Sequence, residues 1–190
     1  YFILTNLGYF TQHPLDMFYI WEGGLTFFGG FIAAVILCVW MIRKHRLPAW
    51  KTLDVFAPSL AMGVFFGRLG CFAAGCCYGK PTDLPWAITF TDPVAAANVG
   101  TPLNIPLHPT QLYEAGAELL ILGLLLAAER RGRPFPGRTF WGYMLAYAVS
   151  RFIIEFYRGD PRGAILDMST SQFFSLVIGP LSVAMLIWLG

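Results

Sequence analysis

The chain has 190 residues, of which 56% are hydrophobic and 13% are charged, and its formal net charge is +2. Soluble domains carry about 25% charged residues, so this chain lacks the polar surface that a water-soluble fold needs. The small net charge gives no reason to expect a nucleic-acid partner. These numbers favour a protein whose solvent is the lipid bilayer.

Apolar stretches long enough to be membrane-spanning helices recur along the chain. Five are predicted, at residues 25–42, 55–78, 112–128, 139–157 and 172–189. Residues 1–24 mix aromatic and polar side chains, which is typical of a segment at the outer membrane interface or of an ordinary outer loop. Residues 79–111 are predicted to form a small extracytoplasmic cap with short strands. The predicted fold class is an all-α polytopic membrane protein, with residues 1–190 as a single membrane domain.

The basic residues predict the orientation of the chain. The loops at residues 43–51 and 130–138 are rich in Lys and Arg and fall on the same side of the predicted helices. The positive-inside rule places both loops in the cytoplasm, and the C-terminus with them. Residues 1–24 and 79–111 are then outside.

Ionisable side chains lie within the predicted helices, where a charge costs at least about 2.5 kcal/mol. Arg68 lies in the outer half of the second helix, and Glu114 and Glu118 lie near the outer end of the third. A polar stripe follows one face of the fourth helix, at spacings of four, four and three residues: Tyr147, Arg151, Glu155 and Arg158.

A guanidinium matches the oxygen atoms of a phosphate. Because Arg68 and Arg151 are predicted at the same depth, they favour a site for the phosphate of a phospholipid head group. The alternative is a structural Arg–Glu pair that joins two helices. Glycines at the outer end of the second helix predict irregular or tightly packed backbone beside such a site: Gly67, Gly70, Gly75 and Gly79.

Four segments, in this order along the chain, carry a resemblance to a known family: Trp21–Gly30, Gly67–Gly79, His108–Glu114 and Arg151–Arg158. They resemble the signature blocks of the phosphatidylglycerol–prolipoprotein diacylglyceryl transferases. Lys80–Trp86 also resembles the outer loop of that family. The resemblance covers nearly the whole chain.

The resemblance implies a seven-helix fold of which the helices predicted here are the last five, so that an N-terminal part would precede Tyr1. It implies transfer of the diacylglyceryl group of phosphatidylglycerol to the lipobox cysteine thiol of a prolipoprotein, bound through its signal peptide. Glycerol phosphate is the leaving group. It implies no cofactor and no metal, and a location in the bacterial inner membrane.

The resemblance also implies roles for individual residues. Arg68 and Arg151 match the essential arginines of the family, which would hold the lipid phosphate and stabilise the leaving group. Tyr147 and Glu155 match polar residues of the same helix and are expected to take part in catalysis. The remaining matched positions are expected to bind substrate: Arg158, Gly67, Gly70, Gly79, His108, Gln111 and Glu114.

The chain departs from the family pattern at two places. Phe28 stands where the family has a histidine that is proposed as the base for the incoming thiol. Another base would then be needed, such as Glu155, His108 or a thiolate. In the signature, residues that are usually asparagine, asparagine and glutamate are replaced by Cys71, Ala74 and Cys76.

Three interpretations compete with a divergent transferase. Cys71, Cys76 and Cys77 could form a redox or metal site, with His108 as a fourth ligand. The chain could be a catalytically silent relative that acts as an accessory subunit of a larger membrane complex. The cysteines could also simply pack as small apolar residues. Retention of Arg68 and Arg151 favours the transferase.

Overall fold

The computed structural model describes residues 27–132, 134–160, 164–165 and 168–190. The predicted outer segment at residues 1–24 lies outside these ranges, and so does the side chain of Phe28. The chain divides into two compact units, Tyr1–Ala49 and Trp50–Gly190, and each is described by itself.

The described part of the first unit is mainly helix α1, Phe27–Lys44. Its last turn carries Arg43 and Lys44, whose charges are favourable at a helix C-terminus. The Lys44 ammonium lies 4.4 Å from the centroid of the Trp40 ring, a cation–π contact.

The second unit is built on long helices. These are α2 (Ala49–Ala73), α4 (Thr110–Arg130), α5 (Arg138–Glu155) and α6 (Thr170–Leu189). Among the described helices, α2, α4 and α6 are long and apolar enough to cross a membrane. Helix α5 has a similar length but carries several charges, Arg138, Arg151 and Glu155. The all-α membrane class predicted from the sequence is confirmed.

The helix ends differ from the prediction most clearly at α2. This helix was predicted at residues 55–78, and in the structure it begins at Ala49 and ends at Ala73. Its start was misplaced because Lys51 and Asp54 lower the hydropathy, although charged residues are tolerated at a helix end. Its end was misplaced because Gly75 has a left-handed φ of 70°, a conformation that terminates helices.

Residues 74–109 form a small cap between α2 and α4. Strand β1 (Ile88–Thr89) pairs antiparallel with β2 (Pro106–Leu107). Between them lies the short helix α3 (Pro93–Val99), whose first turn is capped by the side chain of Asp92.

A second hairpin precedes the last helix. Strand β3 (Ala164–Ile165) pairs antiparallel with β4 (Met168–Ser169). The chain then enters α6 through a capping box, in which Ser169 and Gln172 exchange hydrogen bonds with each other's backbone N–H groups.

The core lies where α2, α4 and α5 meet. Its buried members are Ala57, Ala61, Ile121, Leu125 and Tyr143. The two alanines on α2 are fully buried, so their small side chains allow close approach of the neighbouring helices. Large apolar side chains point outward instead, among them Ile187 at 76% exposure, which suits contact with lipid chains.

One buried polar residue joins two of these helices. Asp54 on α2 is 1% exposed. Its carboxylate accepts hydrogen bonds from the backbone N–H of Gly137 at 2.7 Å and of Phe140 at 2.9 Å. The orphan N–H groups at the start of α5 are therefore satisfied by another helix.

Candidate active site

Glu114 is the centre of a buried ionic network. It lies near the start of α4 and is 5% exposed. Its carboxylate forms ion pairs with Arg68 of α2 and Arg151 of α5. The Arg158 Nη1 atom lies 3.1 Å from the same carboxylate. We call Arg68, Arg151 and Arg158 the arginine cluster.

Further acceptors hold Arg151, which lies in α5, and Arg158, which lies just after it. Arg151 Nη2 lies 2.6 Å from Glu155 Oε2 and donates to Ser171 Oγ at 2.9 Å. Arg158 donates to both carboxylate oxygens of Asp160, at 2.9 and 3.0 Å. Such two-point contacts set the plane of the Arg158 guanidinium as well as its position.

Arg151 and Arg158 are buried and Arg68 is half-buried, and carboxylates lie beside all three. Glu114, Glu155 and Asp160 supply carboxylates within ion-pair distance of them. Buried charges need such partners, because an unpaired one is costly to remove from water. The guanidinium groups are thus held in orientations that suit anion binding, and carboxylates of the protein are the anions that they bind in this structure.

Backbone contacts at Gly79 place Arg158 in the site. Gly79 N donates to His108 O at 3.1 Å, and Lys80 N donates to Tyr157 O at 2.8 Å. A Cβ atom on Gly79 would collide with His108 and would lie 2.9 Å from Tyr157 O. Three segments therefore meet at Gly79, and the structure gives this glycine a packing role.

The turn after α2 is held by buried side chains. We call Gly75–Cys77 the cysteine turn. Its successive carbonyl groups each accept one hydrogen bond: Gly75 from Thr101 Oγ1 at 2.8 Å, Cys76 from Gln111 Nε2 at 2.6 Å and Cys77 from Thr110 Oγ1 at 2.8 Å. Gln111 and Thr110 are 0% exposed. Gln111 thus positions the turn.

The cysteine turn brings three thiols together. The Sγ atoms of Cys71, Cys76 and Cys77 all lie within 4.8 Å of one another. The pKa of the Cys77 thiol is lowered, because Cys71 and Arg158 hydrogen-bond to it and these effects outweigh its burial. Burial is the main reason why the pKa of Cys76 is raised.

His108 lies in a separate aromatic group. Its Nδ1 atom is 3.1 Å from the hydroxyl of Tyr113, which also accepts from Trp86 Nε1 at 2.8 Å. The His108 ring centroid is 5.2 Å from that of Tyr157. Within the described residues the thiol group does not include His108, so the expectation of His108 as a fourth metal ligand is wrong.

The sequence of the chain matches a known family. The sequence model described as prolipoprotein diacylglyceryl transferase matches residues 1–188. The chain belongs to this family. The resemblance seen in the signature blocks is thereby confirmed.

Several relatives are named phosphatidylglycerol–prolipoprotein diacylglyceryl transferase. The one from Clostridium tetani is 44% identical over 80% of this chain and 59% of its own length. That from Geobacter sulfurreducens is 36% identical over 98% of this chain and 65% of its own length. That from Cupriavidus metallidurans is 35% identical, over 99% of this chain and 68% of its own length. The chain therefore spans about two thirds of the length of these relatives or less.

The structure brings together several of the candidate site residues that the sequence singled out. Arg68, Arg151, Arg158, Glu114 and Glu155 form the network described above. Tyr147 lies one turn before Arg151 and interacts electrostatically with it. The two candidate bases already have partners: Glu155 pairs with Arg151, and His108 lies at hydrogen-bond distance from Tyr113.

The glycines at the end of α2 and just after it differ in how closely they are packed. A Cβ atom on Gly67 or Gly70 would meet nothing within 4 Å, so tight packing is the wrong expectation for these two. At Gly75 an added Cβ would lie 2.8 Å from the Cβ of Ala95, so the backbone there is closely packed.

Some site residues were missed by sequence reasoning. Asp160, Ser171 and Thr101 all contact the arginines or the cysteine turn. They lie in loops or at a helix start, where no periodic pattern marks them. Asp160 had one local signal, an acid two residues after a buried arginine.

Proposed function

We propose that this protein transfers the diacylglyceryl group of phosphatidylglycerol to the thiol of a lipobox cysteine in a prolipoprotein. The observation that carries the proposal is the arginine cluster, three guanidiniums from α2, from α5 and from the residues just after α5 that converge on one buried carboxylate. The names of the relatives support the same reaction.

The arginine cluster would bind the phosphate diester of the lipid. The acceptor thiol loses its proton and its sulfur attacks the glyceryl carbon that bears the phosphate. A carbon–sulfur bond forms, the carbon–oxygen bond breaks, and the departing glycerol phosphate takes up the proton. The electron pair of the broken bond goes to the phosphate oxygen of the departing glycerol phosphate. Guanidiniums aimed at that oxygen stabilise its growing negative charge, and they do so most strongly where water is excluded.

Arg68 and Arg151 are proposed to be catalytic because their guanidiniums, from α2 and from α5, meet at the same carboxylate of Glu114. Glu155 is proposed to position Arg151, since its carboxylate lies 2.6 Å from that guanidinium. Tyr147 is proposed to face the same site from one turn below. The partners proposed are phosphatidylglycerol and the signal peptide of the prolipoprotein.

The test is a transfer assay on the purified full chain. Phosphatidylglycerol and a lipobox peptide are mixed with the protein, and the mass of the peptide is measured. We expect a diacylglyceryl adduct whose rate of formation falls by about a hundredfold or more in Arg68→Ala and Arg151→Ala, the loss usual for one transition-state donor.

A matched control is Arg130→Ala, which removes an exposed arginine at the other end of α4 and should leave the rate unchanged. Arg151→Lys keeps the charge but loses the two-point fork, so it should also be strongly impaired. Wild-type rates in both alanine variants would overturn the proposal. No adduct from the parent chain, beside an active relative, would favour an accessory role.

A further inference from the structure

The thiols beside the arginine cluster have no part in the reaction proposed above. Cys71 lies at the end of α2, and Cys76 and Cys77 lie in the cysteine turn. All of them are thiols rather than disulfides in this structure. Their convergence is therefore a property of the chain that the transfer reaction leaves unexplained.

The spacing of the sulfur atoms matches a metal site. Thiolate–metal bonds are about 2.3 Å long, so a planar site with three sulfurs needs sulfur–sulfur distances of about 4 Å. The Sγ atoms of Cys71, Cys76 and Cys77 already lie within 4.8 Å of one another. Less than an ångström of adjustment brings them to that geometry.

The backbone holds the sulfurs in place before any ligand binds. Cys77 has a φ of 63°, a left-handed conformation that is unfavourable for a residue with a side chain. It persists because Thr110 and Gln111, both 0% exposed, donate to the carbonyl groups of the cysteine turn. Ligands preoriented in this way bind a metal more tightly.

The surrounding charge suits thiolates. Arg158 hydrogen-bonds to the Cys77 sulfur, and Arg68 interacts with it electrostatically. Three thiolates around a monovalent cation carry a net charge of about −2 on simple counting, and the two adjacent guanidiniums, which also pair with Glu114, lie on the side of this negative charge.

The ligand set narrows the choice of ion. Among the residues that the structure describes, no histidine or carboxylate joins the three thiols. Zinc in structural sites takes four ligands, and iron–sulfur clusters take four cysteines. Soft thiolates with no further donor favour Cu(I). We propose that Cys71, Cys76 and Cys77 form a three-thiolate binding site for Cu(I).

The test is a binding titration of the purified full chain with Cu(I), without oxygen, against a coloured Cu(I) chelator. We expect one equivalent to bind, and X-ray absorption to show three sulfur neighbours. Cys71→Ser and Cys77→Ser should each weaken binding by at least about a hundredfold, because a hydroxyl is a poor ligand for a soft ion.

Cys38→Ser is the matched control, since it removes the remaining cysteine, which lies in α1, and it should bind Cu(I) like the parent chain. Cys71→Ala and Cys77→Ala, checked for helical content and for a single elution peak, guard against effects of misfolding. Unchanged affinity in folded variants, or fewer than three sulfur neighbours, would overturn the proposal. The binding readout does not depend on whether the lipid is transferred.

Discussion

At Gly79, backbone from three parts of the chain comes together so closely that a side chain has no room. The neighbouring hydrogen bonds run from Gly79 to His108 and from Lys80 to Tyr157. Arg158 follows Tyr157 directly, so its position in the arginine cluster depends on this crossing. The absence of a Cβ atom at one residue thus fixes a charge at another.

We expect Gly79→Ala to destabilise the protein by about 1–3 kcal/mol, the usual cost of an overpacked site. It should also slow lipid transfer, because Arg158 must shift with the backbone. Thermal unfolding in detergent and the transfer assay measure the two effects.

The matched control is Gly123→Ala on α4, where an added Cβ meets nothing within 4 Å. Alanine is the better helix former, so this variant should be as stable as the parent chain or slightly more stable. If the two variants unfold at the same temperature, Gly79 is not as closely packed as its contacts indicate.

At the scale of whole elements, Asp54 is the clearest link between helices. Asp54 lies in α2, and its carboxylate accepts hydrogen bonds from the backbone N–H groups of Gly137 and Phe140 at the start of α5. A helix start buried without such an acceptor would leave unsatisfied donors. The carboxylate therefore sets where α5 begins relative to α2.

We expect Asp54→Ala to cost about 1–3 kcal/mol in the free energy of unfolding, since it leaves buried donors without a partner. Asp54→Asn keeps one acceptor oxygen and should cost less. Thermal unfolding in detergent ranks the variants. Lys51→Ala, at an exposed position of the same helix, is the control, and an equal loss in all three would argue against the link.

The long helices could be predicted from the sequence because a helix that crosses the bilayer needs a long apolar segment. Long apolar runs predicted the positions of the long helices in the described residues, of which α2, α4 and α6 are long and apolar enough to cross a membrane. Hydropathy could not locate helix ends, since Asp54 and Gly75 act through hydrogen bonding and backbone conformation. Arg151 and Arg158 were found by their spacing, and Arg68 and Glu114 by their charge within apolar runs. The central role of Glu114 could not be predicted, because it depends on contacts with residues distant in the chain.

At the scale of the whole molecule, the orientation in the membrane remains a prediction from charge. We propose that the chain lies in the bacterial inner membrane with residues 43–51, residues 130–138 and the C-terminus in the cytoplasm. The basic loops carry the Lys and Arg that favour this side. The cap at residues 74–109 would then face outward.

We expect a membrane-impermeant maleimide to label Asp83→Cys in intact cells, because this exposed residue lies in the cap. Arg131→Cys, exposed in the basic loop, should be labelled only after the cells are permeabilised. The parent chain gives the background from its own cysteines. The reverse pattern would show that the orientation is inverted.

Glu114 makes the site occupied before any lipid arrives. Its carboxylate holds α4 to α2 through Arg68 and to α5 through Arg151. A head-group phosphate that takes these guanidiniums replaces one anion by another, so the buried charge changes little. Entry of the lipid is then an exchange that loosens the junction of three helices, and departure of glycerol phosphate lets the carboxylate close it again.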